Sequence, residues 1–507
     1  MGFTTQFFFF VFFPICMLFY LAIQLLEKNK YLKNIIKAVR LSDVILIIFS
    51  MGFYMWACFD DIYRFALYIL FVYAAGKAIE KRRSKKFLLV IEDETCAGNE
   101  ECRKDIRKVL WALPALVLTI FCLVFCLVYF KYTYLLTAIW NFLFHRSMEA
   151  QSYMVPLGIS FITFSAISYI VDIYRGDEKA GDLIDCALYL SFFPKVVSGP
   201  VVLWKDFKTQ ISKRNYTLDL GVNSLNRIMI GFAKKLILAD QFGALLTEIP
   251  LYEGGIDSLT AVGMMFLYML QIYFDFSGYS DIAIGLAGLF GLEFKENFNF
   301  PYRSKSISEF WRRWHISLGT WFREYVYIPL GGSRCSKRKI IRNQAIIFLL
   351  TGIWHGAGWN YLLWGGINGF FVVVERIVKD KKIYQRLPNI VKWFCTMLIT
   401  LIAWQFFRFT TMAEVRICFS SLFSQYDLAD LPYTWKYYFD TRMIFLMAVG
   451  TVGATVFGMG KLKLCIKRVV NSKIGFIVQE AVIFSLFVIA IMCMANSTYS
   501  PFIYFQY

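Results

Sequence analysis

Histidine is scarce in this chain, with three among 507 residues. No cysteine pair has C-x-x-C spacing and no Cys/His cluster has zinc-site spacing, so no structural metal centre is expected. The fifth position after each histidine holds Ala150, Thr320 or Asn360, which excludes the H-x-x-x-x-D signature of one acyltransferase class. No G-x-S-x-G elbow occurs; the nearest candidate, Gly278-Tyr279-Ser280, ends on Ile282. Phosphate-binding and dinucleotide-binding glycine loops are absent too. The first charged side chain is Glu27, so no basic region precedes the first apolar run, and the N-terminus reads as a retained membrane helix and not a signal peptide. There is no fixed-period repeat and no low-complexity tract.

Apolar residues are abundant: 58% of the chain is hydrophobic and 19% aromatic, against roughly 45–50% apolar in soluble domains. Runs such as Phe7–Leu26, Val44–Cys58, Leu110–Phe130 and Ala481–Met494 reach or approach the length of a bilayer crossing. The fold class expected is an all-α polytopic membrane protein with about eleven to twelve membrane elements. A β-barrel would show short alternating segments instead. The segment Leu183–Phe207, with Pro194, Lys195, Gly199 and Pro200, reads as broken or re-entrant.

The net charge is +18, and the basic residues fall in short connectors. Lys77, Lys81, Arg82 and Arg83 form one cluster; Arg334, Lys337, Arg338 and Lys339 form another. That is the distribution of cytoplasmic loops, not of a nucleic-acid-binding face. The acidic pair Asp60-Asp61 then falls outside, and an extracytoplasmic N-terminus follows. The chain reads as one membrane domain over residues 1–507, with a cytoplasmic polar loop at 80–108 containing Cys96 and Cys102, which are expected to be reduced there.

Two of the three histidines follow tryptophan: Trp314-His315 and Trp354-His355. Imidazole moves protons near neutral pH. Helical spacing puts Trp311, His315, Leu318 and Phe322 on one face, with Arg312 one turn before His315, a cation that would keep the imidazole neutral. The plainer alternative is an interfacial histidine in an aromatic belt. His355 lies in an apolar run and is followed by Gly356-Ala357-Gly358-Trp359-Asn360, so a ligand or another backbone could approach closely. The plainer alternative is that those small residues serve helix packing and His355 satisfies a neighbouring carbonyl, but an idle histidine within a membrane segment is costly. Asp275 and Asp281 flank Phe276-Ser277-Gly278-Tyr279-Ser280 and could line a polar path; a helix break at Gly278 competes with that reading. Gly285, Gly288 and Gly291 suit close helix packing better than phosphate binding.

Several segments together resemble a known family. Glu309-Phe310-Trp311-Arg312-Arg313-Trp314-His315-Ile316-Ser317-Leu318, Tyr327-Ile328-Pro329-Leu330-Gly331-Gly332 and Trp354-His355-Gly356-Ala357 are similar to signatures of the membrane-bound O-acyltransferases. Phe193-Pro194-Lys195 with Gly199-Pro200, and Gln271-Ile272-Tyr273-Phe274-Asp275-Phe276-Ser277-Gly278, extend the match. The bacterial branch that includes the alginate O-acetylation membrane subunit is the nearest in pattern; the stretch 92–105 looks like an insertion relative to it.

The resemblance implies a ring of helices around a central tunnel and acyl transfer from a thioester to a hydroxyl. It implies His355 as the catalytic residue and His315 as a supporting one. Asp275, Asp281, Arg312, Trp314, Trp354 and Asn360 are weaker candidates for the tunnel. No tightly bound cofactor or metal is implied. The expected donor is cytoplasmic acetyl-CoA or an acyl carrier protein, and the expected partner an extracytoplasmic esterase-like protein that modifies a polysaccharide in a cell-membrane setting. D-alanyl transfer to teichoic acid, lipid acylation and a transporter or flippase remain as alternatives.

Overall fold

The computed structural model describes residues 2–27, 29, 40–83, 100–149, 155–214, 216–251, 256–356, 358–423, 433–459, 468–496 and 502. Among these, every regular element is a helix. Among the described residues, eight helices are long and apolar enough to cross a membrane: Phe8–Leu26, Phe59–Arg82, Ala112–Phe144, Ser258–Leu289, Trp359–Val378, Asn389–Arg408, Thr441–Gly458 and Lys473–Asn496. Leu41–Ala57 is a shorter apolar helix. Their outward faces carry large apolar side chains such as Leu18, Phe121, Phe142 and Phe484, as lipid contact requires. The protein is an all-α, multi-pass membrane protein.

The helix expected over Leu110–Phe130 extends from Glu100 to Phe144. It absorbs the end of the polar stretch; Cys96 and the rest of that stretch, up to residue 99, lie outside the described residues. The chain divides into two compact units, one of residues 3–217 with Phe290–Phe294, the other of Leu218–Leu289 with residues 295–507.

In the first unit the broken segment is resolved into helices Leu183–Ser191, Phe193–Val196 and Trp204–Ile211. Asp182 and Asp185 form a capping box at the start. Asp185 also receives Arg40 at 2.7 Å and Lys208 at 2.5 Å, so one carboxylate ties together the entry and the exit of the excursion. Between them the Tyr189 hydroxyl donates to the Val202 carbonyl at 2.8 Å, and the Phe193 N–H donates to Ser50 Oγ at 3.1 Å. The segment is therefore broken into short helices and folds back so that its two ends are held together. At its tip a methyl group on Gly158 (φ 68°) would stand 2.3 Å from the Val196 carbonyl oxygen, so glycine is required there. Lys195 is buried, with Nζ 3.1 Å from Ser165 Oγ and 4.0 Å from the centre of the Tyr189 ring. A separate apolar cavity of about 420 Å³ is lined by residues including Tyr54, Phe65, Tyr68, Cys122, Cys126 and Ile162.

In the second unit, Ser258–Leu289 is one continuous helix. Gly278 does not break it. A methyl there would lie 2.9 Å from the Gly231 carbonyl oxygen, and one on Gly231 would lie 2.7 Å from that of Gly278. The two helices cross with their backbones almost in contact, which only glycine permits. Gly285 and Gly288 continue the crossing against Ser224, as close packing predicts. Gly291, which belongs to the first unit, instead occupies a turn at φ 74°. Helices Lys337–His355 and Trp359–Val378 form a hairpin closed by Gly352 and Gly365, whose methyl groups would meet Tyr361 and Phe348 carbonyl oxygens at 2.6 and 2.5 Å.

Candidate active site

The expected single helix around His315 is interrupted. Ile307–Arg313 and Ile316–Phe322 are separate short helices, with Trp314 extended and His315 left-handed at φ 44° and ψ 53°. Such a backbone costs a non-glycine residue about 1–2 kcal/mol. Trp311 and His315 consequently do not share one helical face. Asn297 supports the kink: its carbonyl accepts the Ile316 N–H at 2.9 Å, and its Oδ1 accepts the Ser317 N–H at 3.2 Å and hydroxyl at 2.8 Å. His315 Nδ1 lies 3.1 Å from the same Oδ1, while Asn297 Nδ2 donates to Ser280 Oγ at 3.1 Å.

His315 is 2% exposed, and Nε2 has no partner among the described residues. The kink lies outside the eight candidate spans. Burial pushes the His315 pKa down from 6.5 to about 3, so the imidazole is neutral. Arg312 is exposed to solvent and is not the cause, contrary to the expectation from spacing.

His355 is the last residue of its helix, followed by extended Gly356, and is 5% exposed. Its ring stands nearly perpendicular to Trp364 and Phe407, with centroids 5.0 and 4.9 Å away, and 4.6 Å from Trp354. A methyl on Gly356 would strike the Tyr361 ring at 2.3 Å, so this small residue is needed for the tight reversal itself. Trp314 packs on Trp404 at 4.8 Å, and Trp404 packs on Phe407 at 5.6 Å and Trp364 at 6.0 Å. His315 joins from the other end through Phe276 at 4.7 Å, which in turn meets Trp314 at 6.5 Å. Both histidines thus belong to one aromatic cluster built from five separate stretches of chain.

The acidic candidates have other partners. Asp275 and Asp240 share the Lys235 ammonium at 2.6 and 2.7 Å. Asp281 takes Arg227 at 2.8 Å and Lys234 at 2.6 Å, and Arg227 also pairs with Glu296. These charges join the Ser258–Leu289 helix to the preceding one. Asn360 is buried and donates to the Phe409 carbonyl at 2.5 Å, tying two helices together. His145 is exposed beyond the end of the Glu100–Phe144 helix. Asn297, Trp364, Trp404 and Phe407 complete the cluster and had no motif of their own to announce them.

Two buried imidazoles, one of them held neutral by burial, thus stand in one aromatic cluster inside the apolar interior of a multi-pass helical protein. The family model of MBOAT, the membrane-bound O-acyltransferase family, matches residues 108–422, and the chain belongs to that family of O-acyltransferases. It is 38% identical over 375 residues to Probable alginate O-acetylase AlgI of Pseudomonas putida, covering 70% of this chain and 75% of that one. It is similar to the Peptidoglycan O-acetyltransferase of Helicobacter pylori, at 32% over 349 residues, 61% of this chain and 63% of that one. The Teichoic acid D-alanyltransferase of Streptococcus thermophilus aligns at 33% over 247 residues, 46% of this chain and 59% of that one.

Proposed function

We propose that the protein moves an acetyl group from a cytoplasmic thioester, acetyl-CoA or an acyl carrier protein, across the cell membrane to a hydroxyl of an extracytoplasmic polysaccharide, directly or through an esterase-like partner protein. The observation that carries this reading is His355, an imidazole at a helix end inside a cage of aromatic rings. The names of the P. putida and H. pylori relatives support acetyl as the group and a polysaccharide as the acceptor.

A hydroxyl attacks a thioester poorly unless a base takes its proton. His355 takes that proton as the oxygen bonds to the acyl carbon and the carbonyl π pair moves to oxygen. Collapse of the tetrahedral intermediate restores the carbonyl and breaks the carbon–sulfur bond. The departing thiolate recovers the proton from the imidazolium. The surrounding rings exclude water, which limits hydrolysis of the thioester. His315, with a bare nitrogen and no charge, accepts a hydrogen bond from the donor arm and helps to position it. The basic connectors suit an anionic donor, although positive-inside topology accounts for them as well.

The test is transfer by purified protein in vesicles supplied with isotope-labelled acetyl-CoA or acetyl-loaded carrier protein on one side and polysaccharide on the other, with and without the partner. Ester-linked label on the polymer supports the reading. Label in lipid alone, D-alanyl in place of acetyl, or solute transport with no thioester requirement would each replace it with the corresponding alternative.

A further inference from the structure

Trp404 lies in the Asn389–Arg408 helix, is 1% exposed, and its indole N–H finds no acceptor among the described residues. Buried indoles normally satisfy that donor, and others in this chain do. Trp311 Nε1 donates to Asn368 Oδ1 at 3.2 Å, Trp393 Nε1 to the Tyr302 carbonyl at 2.8 Å, and Trp204 Nε1 to the Lys179 carbonyl at 3.0 Å. An unused donor in an apolar interior is a place where an acceptor from outside the chain would be held strongly, because no water competes for it.

The position of Trp404 says which acceptor. Its ring and the His355 ring pack against the same two neighbours, Trp364 and Phe407. A base and a hydrogen-bond donor flanking one apolar wall is the disposition that acyl transfer needs. The hydroxyl oxygen sits by the base, and the carbonyl oxygen, which gains charge as the carbon is attacked, sits about 3 Å from the donor.

We propose that the Trp404 indole N–H donates a hydrogen bond to the carbonyl oxygen of the thioester and stabilises the oxyanion formed when the acceptor hydroxyl attacks it. The assignment rests on the acyl-transfer reading. Trp404 forms and breaks no covalent bond; the bond made is carbon–oxygen, the bond lost is carbon–sulfur, and the proton passes from hydroxyl to His355 to sulfur.

The experiment compares wild type, Trp404→Phe, and a protein with benzothienylalanine at 404, which keeps the bicyclic shape and replaces N–H by sulfur. Transfer from acetyl-CoA or acetyl-loaded carrier protein, whichever the wild type uses, is measured in vesicles. The carbonyl stretch of the carbon-13-labelled thioester is recorded on each protein, together with thermal unfolding. Both variants are expected to lose about 100-fold in kcat with KM little changed, and to raise the bound carbonyl's stretching frequency towards its unbonded value. A benzothienylalanine protein with wild-type kcat and an unshifted carbonyl band overturns the assignment, and it does so even if Trp404→Phe fails to fold. A wild type that transfers nothing from either thioester overturns the acyl-transfer reading itself, a different outcome from equal activity in all three proteins.

Discussion

His315 Nδ1 lies 3.1 Å from Asn297 Oδ1, an oxygen that already accepts two hydrogen bonds from Ser317. A carboxamide oxygen cannot donate, and Asn297 Nδ2 is engaged with Ser280, so the proton of the neutral imidazole sits on Nδ1. Nε2 then presents a bare lone pair in a buried site. The second histidine of the cluster therefore has a defined tautomer, and one asparagine sets it.

Replacing Asn297 with Ala removes the acceptor of three contacts and frees the ring to adopt either tautomer. Each net hydrogen bond is worth about 1 kcal/mol, so a loss of roughly 2–3 kcal/mol in stability is expected, with transfer reduced at least about tenfold by the misoriented imidazole. Thermal unfolding and initial rates on the folded fraction check the two effects separately; unchanged rates would deny Asn297 its orienting role.

The glycine crossing makes opposite forecasts for two helix glycines. Gly278→Val must push Gly231 away, since even a methyl would stand 2.9 Å from its carbonyl oxygen; a loss of about 1–3 kcal/mol is expected from such overpacking. Gly52, with nothing within 4 Å of an added methyl, should accept Ala and gain roughly 0.5–1 kcal/mol from lower backbone entropy in the unfolded state. Melting temperatures in one detergent, moving in opposite directions, verify this.

Lys235 is shared by two carboxylates, so its loss is more damaging than the loss of either. Lys235→Met removes the cation that Asp240 and Asp275 share and should destabilise by about 3–5 kcal/mol. Asp240→Asn leaves the Lys235–Asp275 pair intact and should be milder. If Asp275 instead contacts substrate, Asp275→Asn will lower the rate per folded molecule without lowering the melting temperature, which is the outcome not expected here.

Asp185 should contribute nothing to the pH dependence of stability near neutrality. Burial raises the Asp185 pKa, but the hydrogen bonds from Lys208 and Arg40 outweigh it and hold the carboxylate below its ordinary value of 3.8. A depressed folded value means the stabilisation is complete above the unfolded pKa and is lost as pH falls through the folded one. Unfolding followed from pH 8 to pH 5 should show no contribution from this group, and Asp185→Asn should lower stability equally across that range.

Much of this was legible in the chain, and the failures have physical causes. Long apolar runs located the membrane helices because a bilayer demands length and apolarity, and the proline- and glycine-rich stretch after Leu183 announced an interrupted element. A helix break at Gly278 competed with a polar path at Asp275 and Asp281; the fact that excludes the break, the Gly231 carbonyl across the crossing, is tertiary. The kink at Trp314 and His315 was hidden because helical spacing continues through it, and nothing in the sequence marks a left-handed histidine. Asn297 stands in an unremarkable polar turn, and the ion partners of Asp275 and Asp281 lie dozens of residues away.

The most direct measurement is single-turnover transfer from a thioester donor by His355→Ala, on protein shown to be folded by its unfolding transition and to reach the membrane in wild-type amount. Transfer should fall to the uncatalysed level, while His145→Ala, altered at an exposed site, transfers at the wild-type rate. Normal transfer by His355→Ala would contradict the assignment of this histidine as the catalytic base.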